Sequence, residues 1–239
     1  RAAARVPENT ETTGVGLIMS SYSLVVFDWD GTLMDSTHSI VAAIQGACRD
    51  LELAVPSASE ASWVIGLSLE SALRRAVPEL TQAMMPRFLE RYRTHYLLRD
   101  PELRLFDGIP ELLAELAGQN VRLAVATGKS RVGLTRALAA TGLGPLFDAT
   151  RTADETFSKP HPAMLHELMQ ELDVDPGRVV MIGDTSHDLQ MAANAGVHGL
   201  GVTYGAHTLK ELQGCAPQAV LDSVPRVRDW LLPRVSAGA

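Results

Sequence analysis

"LVVFDWDGTLMDS" (residues 24–36) sets an apolar run of β-prone residues directly against two carboxylates, and the reading of this stretch decides the fold. Leu24, Val25, Val26 and Phe27 form a short continuous apolar run, the pattern of a strand buried on both faces of a parallel sheet. Asp28 and Asp30 stand at its carboxyl end. Side chains of an extended chain repeat every two residues, so both carboxylates can project to one side, and Gly31 lets the chain turn sharply after them. Two like charges that close repel unless something cationic lies between them. Taken alone, Asp-Gly-Thr is better read as a turn. A calcium loop fits poorly, because it needs further acidic or amide residues at alternate positions and a distant Glu.

Working outward, strand-like runs alternate with helical periodicity over most of the chain, which indicates an α/β fold. The expected core strands are 24–28, 122–127, 147–150, 179–184 and 200–203, each mostly apolar before a polar or glycine-rich turn. Helices are expected over 110–117, with Pro110 in a favourable first turn, and over 162–172, where Leu165, Leu168, Met169 and Leu172 make one face. Residues 39–104 break the alternation. They carry three apolar stripes at helical spacing: Ile40, Val41, Ile44, Ala47, Cys48 and Leu51; then Leu69, Leu73, Ala76 and Val77; then Phe88, Leu89, Tyr92 and Tyr96. Helical spacing alone explains each stripe as core packing, so this segment is expected to be a separate helical bundle.

The 239 residues are 46% hydrophobic and 21% charged, enough to bury a sizeable core in one large domain or a domain with an insertion. A net charge of −7 argues against a broad nucleic-acid surface and favours a small-molecule partner. Cys48 and Cys215 lie far apart and fit no metal spacing, so a reducing, cytoplasmic setting is the expectation. No apolar run is long enough to span a bilayer. Residues 1–20 lack the apolar core of a secretory signal and are expected to be a disordered extension, with Met19 as the natural start.

In an open parallel sheet ligands bind where the strands end, so the residues after each strand belong together. Asp28 and Asp30 follow the first; Thr127 and Gly128, in "ATGKS", follow the second; Asp184 and Asp188, in "MIGDTSHD", follow the fourth. Lys159, in "TFSKPHP", precedes a helix between the third and fourth. Each alone has an ordinary reading: Thr127 as a helix cap, Lys159 as a surface lysine, Asp184 as the N-cap of a helix beginning near Asp188. Gly-Lys-Ser at 128–130 fails as a P-loop, because Leu123 stands where the first glycine is needed.

The ordered set "FDWDGT", "ATGKS", "SKPHP" and "IGDTSHDLQMAANAG" resembles the haloacid dehalogenase superfamily, in the phosphatase branch with a helical cap inserted after the first motif. The resemblance covers about residues 23–204. It implies a Rossmann-like three-layer core over 21–38 and 105–239 and an α-helical cap over 39–104. It implies Asp28 as a nucleophile that forms an aspartyl-phosphate and Asp30 as general acid, then base. Mg2+ would be held by Asp28, the backbone carbonyl of Asp30 and Asp184, with Asp188 nearby or behind them. Thr127, Lys159 and the backbone N–H groups of Trp29, Asp30 and Gly128 would hold the phosphoryl oxygens.

Within the family the closest resemblance is to phosphoglycolate phosphatase-like proteins, which makes a small acidic phosphomonoester the leading substrate. Pyrophosphate, a sugar phosphate and a nucleoside monophosphate stay open. The alternatives to a phosphatase are a sugar-phosphate mutase and, from another class, a noncatalytic magnesium- and phosphate-binding protein. Substrate choice is expected in "WVIGLSLESALRR" (residues 63–75), where Gly66, Leu67 and Ser68 form a loop between cap helices with Ser68 as N-cap. Arg74 or Arg75 could add charge there by turning inward. The sequence does not give the oligomeric state.

Overall fold

Residues 24–27 form β1 (Leu24–Phe27), with all four side chains buried. The structure, a computed structural model, describes residues 21–99 and 103–235; the expectations for residues 1–20, including Met19, lie outside it. After β1 come β2 (Met34–Asp35), α1 (Thr37–Asp50), α2 (Ala58–Trp63), α3 (Leu69–Ala76), α4 (Met85–Leu98) and β3 (Arg104–Leu105). The chain continues through α5 (Ile109–Gly118), β4 (Arg122–Thr127), α6 (Arg131–Thr141), β5 (Ala149–Thr152), α7 (Ala163–Leu172) and β6 (Val179–Gly183). It ends with α8 (Ser186–Asn194), β7 (His198–Val202), α9 (Leu209–Gln213), β8 (Ala219–Leu221) and α10 (Val224–Leu231).

Six parallel strands form one sheet in the order β5-β4-β1-β6-β7-β8, which puts β1 between β4 and β6. Alternation along the central strands fills both faces. Val25, Phe27, Leu123, Val125, Val180 and Ile182 pack on one side with α5 and α10. Leu24, Val26, Ala124, Ala126, Val179 and Met181 pack on the other with α7 and α8. Helix, sheet and helix make the three layers expected.

Several strands sit differently from expectation: β7 runs over His198–Val202 rather than 200–203, and the short β2 and β3 were not expected. β5 begins at Ala149 rather than 147, because the Asp148 side chain accepts from Leu123 N at 2.8 Å and its own N–H donates to Leu123 O, fixing a turn just before the strand. β8 was not expected; it is three half-buried residues at the sheet edge, too short for its alternation to be read. The helix placed near Asp188 starts at Ser186, with Thr185, not Asp184, as its N-cap.

The chain leaves the sheet for α1 and returns from α4 through a small antiparallel ribbon in which Met34 pairs with Leu105 and Asp35 with Arg104. Between those points α1 to α4 build a hydrophobic cluster of their own around Ile44, Ala47, Leu73 and Phe88. This is the α-helical cap.

Candidate active site

β1, β4 and β6 end side by side, so Asp28, Thr127 and Asp184 follow from the sheet register itself. All three are buried, as are Asp30, Lys159 and Asp188. Lys159 Nζ lies 2.8 Å from Asp28 Oδ1 and 2.6 Å from Asp188 Oδ1. It donates to Asp188, whereas its contact with Asp28 is ionic without hydrogen-bond alignment. Neither oxygen of Asp28 accepts a hydrogen bond among the described residues. Asp188 is fully engaged: its Oδ2 accepts from Thr185 N at 3.0 Å and from Thr185 Oγ1 at 2.6 Å. Asp184 is held by Thr32 Oγ1 at 2.8 Å and Ala206 N at 2.7 Å.

Asp28, Asp184 and Asp188 each bring a carboxylate oxygen within 4.8 Å of the others. Burial pushes Asp28 up to about 7, with Asp188 and Asp30 adding to the rise and Lys159 opposing it. Asp184 is raised well above the usual carboxylate range, first by burial and then by Asp28 and Asp188. One lysine among three buried acids leaves excess negative charge, and an all-oxygen donor set of this kind suits a hard divalent cation.

Asp30 is held from two sides. Ser36 Oγ donates to its Oδ1 at 2.7 Å, and Lys129 Nζ approaches Oδ1 at 2.9 Å and Oδ2 at 3.0 Å. Lys129 also donates to Tyr96 Oη of the cap at 3.2 Å. Burial works against the charge on Lys129, but Asp30 outweighs it and holds the ammonium above its ordinary value. Trp29 points its indole into the sheet core, so only its backbone is available to a phosphate. Thr127 Oγ1 accepts from Lys129 N at 3.2 Å; the cap of α6 is Ser130.

The family model described as haloacid dehalogenase-like hydrolase matches residues 25–202, most of the chain. The chain belongs to that family. It is 39% identical over 210 residues to "Probable phosphatase IndB" of Dickeya dadantii (strain 3937), covering 85% of this chain and 91% of the relative. It is 34% identical over 206 residues to the phosphoglycolate phosphatase of Pectobacterium atrosepticum, covering 83% and 87%. The crystal structure of a predicted phosphoglycolate phosphatase from Haemophilus somnus 129pt superposes with a TM-score of 0.79 at 26% identity, covering 89% of this chain and 99% of that one.

In this haloacid dehalogenase-like hydrolase the loop at 66–68 does reach the mouth of the site. A Cβ on Gly128 would lie 2.5 Å from Leu67 O and 2.6 Å from Gly66 O, so the loop rests on bare backbone there. Gly66 itself has φ +92°, and Ser68 caps α3 by accepting from Ser71 N. Above the acids lies a chamber of about 580 Å³ bounded by Asp28, Asp30, Thr127, Gly128 and Lys129, by residues 64–70 and by α1, α4 and α6. Neither Arg74 nor Arg75 lines it, contrary to the inward turn considered for them. Arg74 pairs with Glu70 and Gln82, and the Arg75 guanidinium lies 3.8 Å from the centre of the Trp63 ring. The arginines that do line the chamber are Arg93 and Arg136.

The motifs miss the groups that join cap to core. Trp63 O, the last carbonyl of α2, meets His187 Nε2 at 3.0 Å and His207 Nε2 at 2.9 Å. His207 Nδ1 accepts from Ser186 N at 3.0 Å, which requires its Nε2 to carry the hydrogen and donate to the cap. Burial holds His187 below its ordinary value and keeps it neutral. Lys129 is missed as well, because Gly-Lys-Ser invites only the P-loop reading that fails. Its place two residues beyond the β4 end is the available signal.

Proposed function

We propose that the protein is a magnesium-dependent phosphomonoesterase that works through an aspartyl-phosphate on Asp28. The observation that carries the reading is Asp28 itself: a carboxylate 1% exposed, at the floor of a chamber, whose Oδ1 meets Lys159 and whose Oδ2 accepts no hydrogen bond among the described residues. A structural carboxylate at that depth is normally satisfied by donors. A nucleophile needs its lone pairs free. The family and its phosphatase-named relatives agree with this reading.

In the mechanism Asp28 attacks phosphorus. Asp30, braced by Ser36 and Lys129, gives a proton to the leaving oxygen and later takes one from the water that cleaves the phosphoenzyme. Thr127, Lys159 and the backbone N–H groups of Trp29, Asp30 and Gly128 hold the phosphoryl oxygens. Asp28, Asp184 and the Asp30 carbonyl would hold magnesium, with Asp188 fixing Lys159; bound there, the ion offsets the crowded negative charge of the floor. Residues 39–104 act as the closing cap on a core of 21–38 and 105–239, in a cytoplasmic setting suited to the free thiols of Cys48 and Cys215. No helix among the described residues is long and apolar enough to cross a membrane.

Phosphoglycolate as substrate draws support from the names of relatives. The test is acid-quench trapping during turnover of phosphate esters with magnesium. Phosphate bound covalently to Asp28 and passed to water supports the phosphatase. Transfer to a second sugar hydroxyl would indicate a mutase, and neither turnover nor a trapped adduct would leave a binding protein.

A further inference from the structure

We infer that the leaving group taken by this chamber is bulky, apolar and ring-bearing rather than a two-carbon acid, an inference that rests on the phosphatase reading above. The chamber of about 580 Å³ falls in the roughly 300–1,000 Å³ range of pockets that enclose drug-sized ligands, far more room than a glycolate unit uses. Most of its wall is hydrocarbon, from Ile40 and Ile44 of α1, Leu67 of the loop, and Leu89, Tyr92 and Tyr96 of α4, with Ser68, Glu70 and Asp154 among its polar residues. The two tyrosine rings stack with centroids 6.0 Å apart and planes 21° apart, offering a flat aromatic surface that suits another ring. Ile40, Leu89 and Tyr92 sit within the helical stripes read from the sequence as core packing, so those stripes serve two purposes.

Charge points the same way. A carboxylate beside the phosphoryl group needs a cation, and both buried lysines of the site are already taken: Lys159, behind the floor, by Asp28 and Asp188, and Lys129, in the lining, by Asp30. Arg93 and Arg136 are exposed residues of the chamber lining, so they mark its mouth. A second anion near the phosphorus would be stripped of water against aliphatic side chains and other acids, which is costly without a partner. An apolar ring there is favoured by the same walls.

The experiment compares phosphonates, which bind without turnover, on the full chain with magnesium. Benzylphosphonate should bind at least about 10-fold more tightly than 3-phosphonopropionate, the isostere of phosphoglycolate. Leu67→Asn and Leu89→Asn, both at half-buried positions, should each cut that ratio by roughly threefold or more. Among esters that all release a primary alcohol, benzyl phosphate should exceed phosphoglycolate in kcat/KM, and adenosine 5′-monophosphate tests whether the ring arrives on a sugar. If phosphoglycolate is the better substrate and its isostere binds as well as benzylphosphonate, this inference falls and the phosphatase stands. A benzyl preference in binding with no ester hydrolysed would keep the ring site and remove the phosphatase. If neither phosphonate binds, the ring site is overturned.

Discussion

Beneath the chamber Asp28, which reaches its floor, and Lys159, Asp184 and Asp188 behind it are each no more than 2% exposed and every one engages another charge or a backbone donor; in the roof Ile40, Leu67, Leu89 and Tyr92 are half-buried and present hydrocarbon. The floor depends on direction and sign, so a change of one atom matters. The roof depends on area and shape, and a change there is graded. Floor variants should therefore act alike on all substrates, whereas roof variants should reorder them.

The largest break comes from Asp28→Asn, which should lower turnover of every ester by roughly 10³-fold or more, as loss of a nucleophile does. The same change should stabilise the metal-free protein. Asp28 has a folded-state pKa of about 7 against an ordinary 3.8, so the native state holds this proton more tightly than the unfolded chain. Stability from this group is present at acid pH and is lost as pH rises from about 4 to about 7. Thermal melts in chelator should show wild type falling relative to the Asn variant across that window, by on the order of 4 kcal/mol. Parallel curves would mean that Asp28 is not charged at a cost.

Next in size is Lys159→Met. It leaves Asp28 and Asp188 without their shared cation and should cost about 3–5 kcal/mol, read as a lower Tm at neutral pH. Magnesium should recover part of that loss, since a second cation offsets the same charges. For the wild type, magnesium at about 100 times its Kd should add roughly 2.7 kcal/mol of stability, and chelation should abolish turnover. Asp184→Asn should lose most of the magnesium-induced gain in Tm. Calcium should restore activity poorly, its larger and looser coordination misplacing Asp28. An unchanged gain in the Asn variant would move the metal away from β6.

The floor was legible because Asp28 and Asp184 directly follow strands, Asp188 lies in the first turn of α8 and Lys159 in the loop before α7, where short motifs carry both the fold and the chemistry. The roof was not. Ile44, Leu67, Leu89 and Tyr96 are spread over α1, α4 and a loop, and apolar helical spacing reads the same whether a side chain fills the cap or borders a cavity. The contact of Trp63 with His187 and His207 spans 124 and 144 residues of sequence and involves a backbone carbonyl, which has no signature in residue type. Gly66 was placed correctly in the loop, but its φ of +92° and its nearness to Thr185 mean that a bulky residue there would strain the backbone as well as change the substrate ranking. Leu67 is the cleaner probe.

The smallest effect, and the sharpest test of the division, is expected at Tyr96, which belongs to both regions. Its ring lines the chamber beside Tyr92, and its hydroxyl accepts from Lys129, which in turn braces Asp30. Tyr96→Phe keeps the ring and removes the hydroxyl that accepts from Lys129. A hydrogen bond to a buried ammonium of this length contributes about 1 kcal/mol, so kcat should fall roughly fivefold. Because the change reaches the reaction through Lys129 and Asp30, the fall should be the same for benzyl phosphate and phosphoglycolate. It should also be larger for esters whose leaving group needs protonation than for an activated aryl phosphate. A shift in the ratio of the two alkyl esters, with kcat otherwise intact, would assign Tyr96 to the roof alone and leave Lys129 as a charge that merely neutralises Asp30.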